Sequence, residues 1–309
     1  MKKLLAIVSL TVGLTGFAQE STFLVADGSS SGTYQQFLKE IVVATPDSGI
    51  TFKEVPSSGA VENLDKLINN EVMGAFVHSD VLFHRSKAES GLDTKYKTLL
   101  ALFNEDVHFV ALSTAKRTTG GTFGYGAKPV VFKDITDLSN GGRVGAAGGG
   151  FITANVIKLL GDISYSIVKF DSGKDVLQAL NDGTIDAAVF VGAAPLPNLK
   201  DLGANYKLLP IPGNTVDKLK LVYKPAVVTY TKMNPNGVPT VSAQCLFVAK
   251  VYKSQKMVNT IGAFRKSFFD HLDDIKETPG NHKKWNDVTP EEHGTWPWLE
   301  LPVANTAAK

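Results

Sequence analysis

The sequence predicts an α/β protein of two similar lobes, each a mostly parallel sheet flanked by helices, with a cleft between them. Three observations carry that prediction. Short apolar runs alternate with helical patterns from Ser21 onward, the same order of elements occurs twice, and each copy opens with a strand, a loop of small residues and a helix.

The elements follow in order. Thr22–Ala26 is a strand, and Asp27-Gly28-Ser29-Ser30-Ser31-Gly32 a loop. Thr33–Val43 is a helix with Phe37, Leu38 and Ile41 on its buried face. Ile50–Val55 is a second strand, followed by Pro56-Ser57-Ser58-Gly59. A helix then carries Val61, Leu64, Leu67 and Ile68 at spacings of three and four, and Met73–Val77 is a third strand. The pattern then recurs. Arg143–Ala147 is a strand, Gly148-Gly149-Gly150 the loop and Ile152–Leu160 the helix. Ile167–Phe170, a helix with Val176, Leu177 and Leu180, and the strand Ala187–Val191 complete the copy. Aligning Leu67 with Leu180 brings Leu64 onto Leu177, Val72 onto Ile185, Ala75 onto Ala188 and Phe76 onto Val189. Phe37-Leu38-Lys39 likewise resembles Val156-Ile157-Lys158, so the lobes look like copies rather than a short-period solenoid.

Thr118–Gly126 is a glycine-rich connection or flap. Ala226–Thr231 and Gln244–Val251 are further strands, and a long helix places Val258, Ile261, Phe264, Phe268 and Leu272 on one face. These late elements return to the first lobe. The expected division is residues 19–114 with 227–309 for lobe one and 115–226 for lobe two, hinged near Ser113-Thr114-Ala115 and Tyr223–Val227. Trp285, Trp296 and Trp298 must pack to shield their rings.

Composition sets the compartment and excludes several functions. The 309 residues are 43% hydrophobic and 20% charged, which suits folded domains of about 130–150 residues each. Met1-Lys2-Lys3 and the apolar run Leu4–Leu14 lead to Gly16-Phe17-Ala18, the pattern of a signal peptide cleaved after Ala18. That run is too short to span a bilayer, so a soluble exported protein is expected. Without Lys2 and Lys3 the basic and acidic residues balance at 30 each, and no nucleic-acid or anionic-membrane partner is expected. The single cysteine, Cys245, sits in an apolar strand and reads as core.

Loops of Gly and Ser at the carboxyl ends of strands leave amides free at helix N-termini, where the dipole favours an anion. Ser29, Ser30, Ser31 and Thr33 add hydroxyls to one such loop, and Ser57, Ser58 and Gly59 form another. Plain helix capping is the better explanation of any single loop, but three such loops in two similar lobes favour a cleft for a small anion. Gly28-Ser29-Ser30-Ser31-Gly32 also fits G-x-S-x-G, which makes a serine hydrolase using Ser30 the enzymatic alternative. Its position on the first strand leaves no upstream oxyanion loop. The six histidines form no zinc motif, although His78-Ser79-Asp80 follows the third strand closely enough to face the cleft. No nucleotide-phosphate motif occurs, and no cofactor or metal is expected.

Ala26–Tyr34, Ser57–Leu64, Ser79-Asp80-Val81, Gly183–Gly192, Thr229-Tyr230 and Pro239-Thr240-Val241 together resemble the TAXI family. These are solute-binding subunits of tripartite ATP-independent periplasmic (TRAP) transporters. The resemblance implies a two-lobed, type II-like periplasmic binding protein, not an enzyme. It would capture a small carboxylate such as glutamate or 2-oxoglutarate and deliver it to a TRAP-type membrane permease, acting as a monomer. A sensory module serving a membrane receptor would share the fold. The resemblance places the pocket at Ser30, Ser31, Gly32, Thr33, Tyr34, Ser57, Ser58, Ser79 and Asp80 of lobe one and Gly149, Gly150 and Gly192 of lobe two. It also brings an acid and a histidine near Glu105 and His108. Two positions depart from the family: the second-lobe loop lacks a hydroxyl before Thr153, and His78 stands where glutamine is common. None of the four arginines (Arg85, Arg117, Arg143, Arg265) lies in a pocket loop, so backbone amides and hydroxyls would hold the carboxylate.

Overall fold

The computed structural model describes residues 21–30, 32–119, 128–139 and 141–301. The expected signal peptide, Ser31 and residues 120–126 of the glycine-rich stretch lie outside the described residues.

Lobe one begins with β1 (Ser21–Gly28), α1 (Thr33–Ala44), β2 (Ile50–Pro56), α2 (Ala60–Ile68) and β3 (Gly74–His78). Then follow α3 (Ser79–Ala88), α4 (Leu92–Lys95), the long β4 (Tyr96–Leu112) and the small hairpin β5 (Lys116–Thr119) with β6 (Lys128–Val131). The second copy runs β7 (Gly142–Ala147), α5 (Gly148–Gly161), β8 (Tyr165–Phe170), α6 (Gly173–Asn181) and β9 (Ala187–Gly192). The chain ends with β10 (Tyr206–Leu208), α7 (Gly213–Leu219), β11 (Tyr223–Tyr230), β12 (Asn234–Lys250), α8 (Gln255–Asp270) and α9 (Leu272–Glu277).

The strand order repeats as the sequence pattern does. β1 lies between β2 and β3, β7 lies between β8 and β9, and all four pairings are parallel. Each third strand then meets a long antiparallel strand: His78 of β3 faces Cys245 of β12, and Gly192 of β9 faces Asp106 of β4. β4 and β12 have 17 residues each and pair with one another, which joins both lobes into one sheet ordered β2-β1-β3-β12-β4-β9-β7-β8. At about 3.3 Å per residue such a strand reaches roughly 55 Å, enough to serve both lobes.

The apolar interior changes within these two strands. Residues up to Phe103 and from Cys245 onward pack in one cluster with Phe23, Phe37, Phe76 and Phe264. Val107 to Ala111 and Val228 to Ala243 pack instead around Val144, Ile157, Leu180 and Val189. Residues 107–114 and 227–243, which the expected division gives to lobe one, thus run alongside lobe two. The cause is strand length: β4 and β12 cross the boundary without a loop to mark it, with register shifts between Gln244 and Leu246 and between Phe247 and Val248.

Three local expectations are corrected. Gly148-Gly149-Gly150 forms the first turn of α5 rather than a loop. The long helix breaks at His271, so Leu272 begins α9 instead of continuing the face of α8. The two late strands form a single hairpin, β11 on β12, with β12 starting ten residues before Gln244. The tail packs as expected. Trp285 stacks on Phe37 at 4.1 Å and donates its Nε1–H to Glu40, while Trp296 Nε1–H donates to the Tyr96 carbonyl at 2.8 Å.

Candidate functional site

A cavity of about 470 Å³ lies between the lobes, at the carboxyl ends of β1, β3, β7, β8 and β9. Its wall takes Asp27, Gly28, Ser29, Gly32, Thr33 and Tyr34 from the first loop, and Ser58 to Ala60 from the second. His78 and Glu105 close the lobe-one side. Lobe two supplies Ala147 to Gly150, Asp171 to Gly173, Val189 to Ala193, and Leu196 with Pro197. Among the described residues, no Lys or Arg lines it.

Among the described residues, the helices α1, α2, α5 and α6 begin at this cavity, as does α3, whose N-cap is the wall residue His78. The N-caps of the first three, Gly32, Gly59 and Ala147, make no side-chain capping bond. Only α6 is capped, by Ser172, which accepts from the Asp175 amide at 3.2 Å. The described serines of the first two loops are therefore not side-chain caps of α1 or α2. Ser57 instead donates to Asn63 and accepts from the Gly59 amide at 3.1 Å, while Ser58 donates to Glu62 at 2.7 Å. The open first-turn amides of α1, α2 and α5 form a set of donors suited to an anion.

His78 ends β3, is 3% exposed, and is bonded through Nδ1 to Asp80. Burial opposes its cationic form, but the carboxylates of Asp80 and Glu105 more than offset this and hold its pKa at about 9. At neutral pH the ring is an imidazolium, and its Nε2–H is turned toward α5. A Cβ on Gly149 would stand only 2.7 Å from that nitrogen, and one on Gly150 would stand 3.0 Å from the Val189 carbonyl oxygen. Glycine at both positions lets α5 approach lobe one and β9. Glu105 accepts from Tyr34 Oη at 3.0 Å, and burial lifts its pKa above the usual carboxylate value although His78 and Tyr34 pull it back.

Of the residues expected from the sequence, Gly32, Thr33, Tyr34, Ser58, Gly149, Gly150 and Gly192 come together on the cavity wall. Ser30 is exposed beyond the wall, Ser57 lies behind it, and Ser31 is outside the described residues. Ser79 and Asp80 are placed differently from expectation. The turn from β3 into α3 sends both side chains to the contact between the lobes. Ser79 donates to the Val222 carbonyl at 3.0 Å, and Asp80 accepts from Thr153 at 2.7 Å, from Tyr223 at 2.8 Å and from His78. Burial works against the Asp80 anion, yet these donors keep its pKa below the usual carboxylate value. Asp80 is a buried tie between lobes behind the cavity.

His108 is also away from the cavity. It is fully buried against Tyr230, at 3.0 Å from that hydroxyl, and burial lowers its pKa to about 4. Asp27, Ser29, His78 and Glu105 also line the cavity; the place of His78 after the third strand pointed to it, the resemblance to Glu105, and only the loop as a whole to Asp27 and Ser29. The available signal for Asp27 was a charged residue directly after the apolar run Phe23-Leu24-Val25-Ala26. Among the described residues, no group of three or more His, Cys, Asp or Glu could hold a metal ion, and no helix is long and apolar enough to cross a membrane.

The arrangement is similar to several solved structures. A protein of Bordetella bronchiseptica RB50 matches with a TM-score of 0.50 at 14% identity, covering 89% of this chain and 77% of its own. A Xanthomonas citri protein bound to ATP matches with 0.50 at 11% identity, covering 87% and 90%. The GluR0 ligand-binding core from Nostoc punctiforme, in complex with L-glutamate, matches with 0.49 at 13% identity, covering 86% and 97%. At such identities the likeness is one of fold, that of two-lobed periplasmic binding proteins. The sequence itself matches a family over residues 25–295, which include both lobes and every residue of the cavity wall, and the chain belongs to that NMT1-like family.

Proposed function

We propose that this chain is an exported solute receptor that captures a small carboxylate in the interlobe cavity. The observation that carries the reading is the union of three uncapped helix N-termini with the His78 imidazolium around one cavity whose described wall holds no Lys or Arg. An anion seated there gains amide hydrogen bonds and a cation without an arginine clamp. The sequence resemblance supports the TAXI branch, periplasmic residence after cleavage at Ala18, and delivery to a TRAP-type permease. A monomer suffices for this role, since one chain supplies both walls of the cavity.

The receptor performs no chemistry on its ligand. Ser30 is exposed and forms no hydrogen bond with a histidine, and His78 Nδ1 is bonded to Asp80. A p-nitrophenyl ester turnover abolished by Ser30→Ala would overturn this point in favour of the hydrolase. Ligand entry requires the lobes to part, and the pivot lies where β4 passes from Phe103 to Val107 and β12 from Ala243 to Cys245, where the core changes.

The test is calorimetric titration and thermal shift of the mature protein with mono- and dicarboxylates, amino acids and phosphate. Binding of at least one carboxylate, lost in His78→Ala, is the expected result. Binding of phosphate or neutral sugars alone would overturn the carboxylate assignment. Small-angle scattering at saturation is expected to give a smaller radius of gyration than the free protein. Co-purification with permease subunits encoded beside the gene tests the TRAP assignment.

A further inference from the structure

Among the described residues, the buried acids have donors, with one exception. Asp80 has three, Glu105 has Tyr34, and Asp106 accepts from Ser242 at 2.7 Å. Asp27 is 0% exposed, and neither of its carboxylate oxygens has a hydrogen-bond partner among the described residues. It sits at the carboxyl end of β1 in the wall of the interlobe cavity.

Its own backbone amide lies close enough to lower the Asp27 pKa but makes no hydrogen bond with either oxygen, and no other described group supplies the missing partner. Lys39, the basic group whose charge reaches it, donates to Gln35 at 2.9 Å. Glu54, an acid whose charge also reaches Asp27, is bonded to the Gln35 amide at 2.9 Å. Burial and Glu54 raise the Asp27 pKa to about 6, so the group is still mainly an anion at pH 7 and above. A buried anion without a donor is costly to keep, and a cationic group on a ligand in the cavity is the partner it lacks.

Placement relative to His78 gives the ligand two ends. Asp27 follows Ala26, which pairs with Ala75 of β3, and His78 ends β3, so both residues stand at the carboxyl ends of neighbouring strands in the cavity wall. One end of the cavity thus carries an acid and an imidazolium on neighbouring strands. Building on the carboxylate reading above, we propose that Asp27 is the subsite for an ammonium group, so that the receptor selects amino acids over their oxo and des-amino counterparts. His78 and the open helix N-termini take the carboxylate, and Asp27 takes the ammonium.

The test compares molecules that share a skeleton: L-glutamate with 2-oxoglutarate, L-leucine with 4-methyl-2-oxopentanoate, and 4-aminobutanoate with butanoate. Calorimetry on the wild-type protein is expected to show, in at least one pair, the amino acid binding roughly 10- to 100-fold tighter. Asp27→Asn is expected to erase that preference while leaving the partner acid within about threefold of its wild-type affinity. The wild-type comparison stands even where the variant fails to fold. Equal or tighter binding of the oxo or des-amino acid in every pair would overturn the ammonium subsite and leave the carboxylate receptor intact. Binding of butylamine with none of the acids or amino acids would overturn the carboxylate reading instead. No binding by any of these molecules would overturn both.

Discussion

The two lobes share a strand order but face the cavity with different chemistry. Lobe one presents Asp27, Ser29, Thr33, Tyr34, His78 and Glu105, while lobe two presents mostly Ala147 to Gly150, Gly173, Gly192 and the apolar Val189, Phe190, Val191 and Leu196. The third strands show the divergence most clearly. β3 ends at His78 and runs straight into α3, whereas β9 ends at Gly192 and enters an irregular segment. Lobe one carries Asp27, His78 and Glu105 on the wall, whereas lobe two carries Asp171 beside mostly backbone and apolar side chains. On the function proposed above, lobe one recognises the ligand and lobe two closes over it.

The largest effect that tests this division lies at the tie between the lobes. Asp80→Ala removes the acceptor of Thr153, Tyr223 and His78 at once and leaves the His78 cation buried. Breaking a buried pair in this way costs about 3–5 kcal/mol, to be read by urea unfolding. A loss under about 1 kcal/mol would show that Asp80 does not tie the lobes. The pH profile adds a signature. The folded His78 pKa of about 9 lies above an unfolded value near 6.5, so its contribution is full below pH 6.5 and is lost as pH rises through 9. Wild-type stability is expected to fall across that window. In Asp80→Ala that part of the slope should vanish.

The duplication was legible because it is written in local periodicity. Leu64 with Leu177 and Leu67 with Leu180 mark the same helix twice, and all four become buried or partly buried in α2 and α6. The loops were legible because Gly and Ser between a strand and a helix have few other uses. β4 was not anticipated at all, since Tyr96–Leu112 is mostly buried on both faces and broken midway by Asn104-Glu105-Asp106, so its 17 residues show neither a strand's alternation nor a helix's stripe. The roles of Ser79 and Asp80 were hidden for a different reason. Their partners Val222, Tyr223 and Thr153 are distant in sequence and belong to the other lobe, so only the assembled fold sets them against the contact instead of the cavity. Asp27 escaped notice because an unpaired carboxylate looks the same in sequence as a paired one.

A smaller effect separates the lobes by what glycine does in each. Gly149→Ala places a Cβ 2.7 Å from His78 Nε2, forcing α5 away from lobe one. Gly32→Val sets its branch against Ser29, where even Cβ stands 3.0 Å from the hydroxyl and 3.2 Å from the carbonyl oxygen, and it shields the α1 amides. Each steric conflict costs about 1–3 kcal/mol, which as affinity is roughly 5- to 150-fold. Gly149→Ala is expected to reduce ligand-induced compaction in small-angle scattering along with affinity. Gly32→Val is expected to lower affinity and leave the compaction at saturation unchanged. A Gly32→Val protein that binds as tightly as wild type would move the ligand away from α1.

The smallest effect pairs one serine from each lobe, and here the two lobes should respond in opposite ways. Ser29 lines the cavity and forms no capping bond, so its hydroxyl is free for a ligand. Ser172 also lines the cavity, but it caps α6 by accepting from the Asp175 amide and donates to the Asp175 carboxylate at 2.6 Å. Ser29→Ala is expected to weaken binding tenfold at most, because a neutral hydrogen bond contributes about 0.5–1.5 kcal/mol, with unfolding unchanged within about 0.5 kcal/mol. Ser172→Ala is expected to cost about 0.5–2 kcal/mol of stability, the usual loss of an N-cap, while affinity stays within about threefold. Calorimetry and urea unfolding on both variants read the two quantities separately. If Ser172→Ala weakens binding more than Ser29→Ala does, lobe two recognises the ligand through its side chains and the division between a recognising lobe and a closing lobe fails.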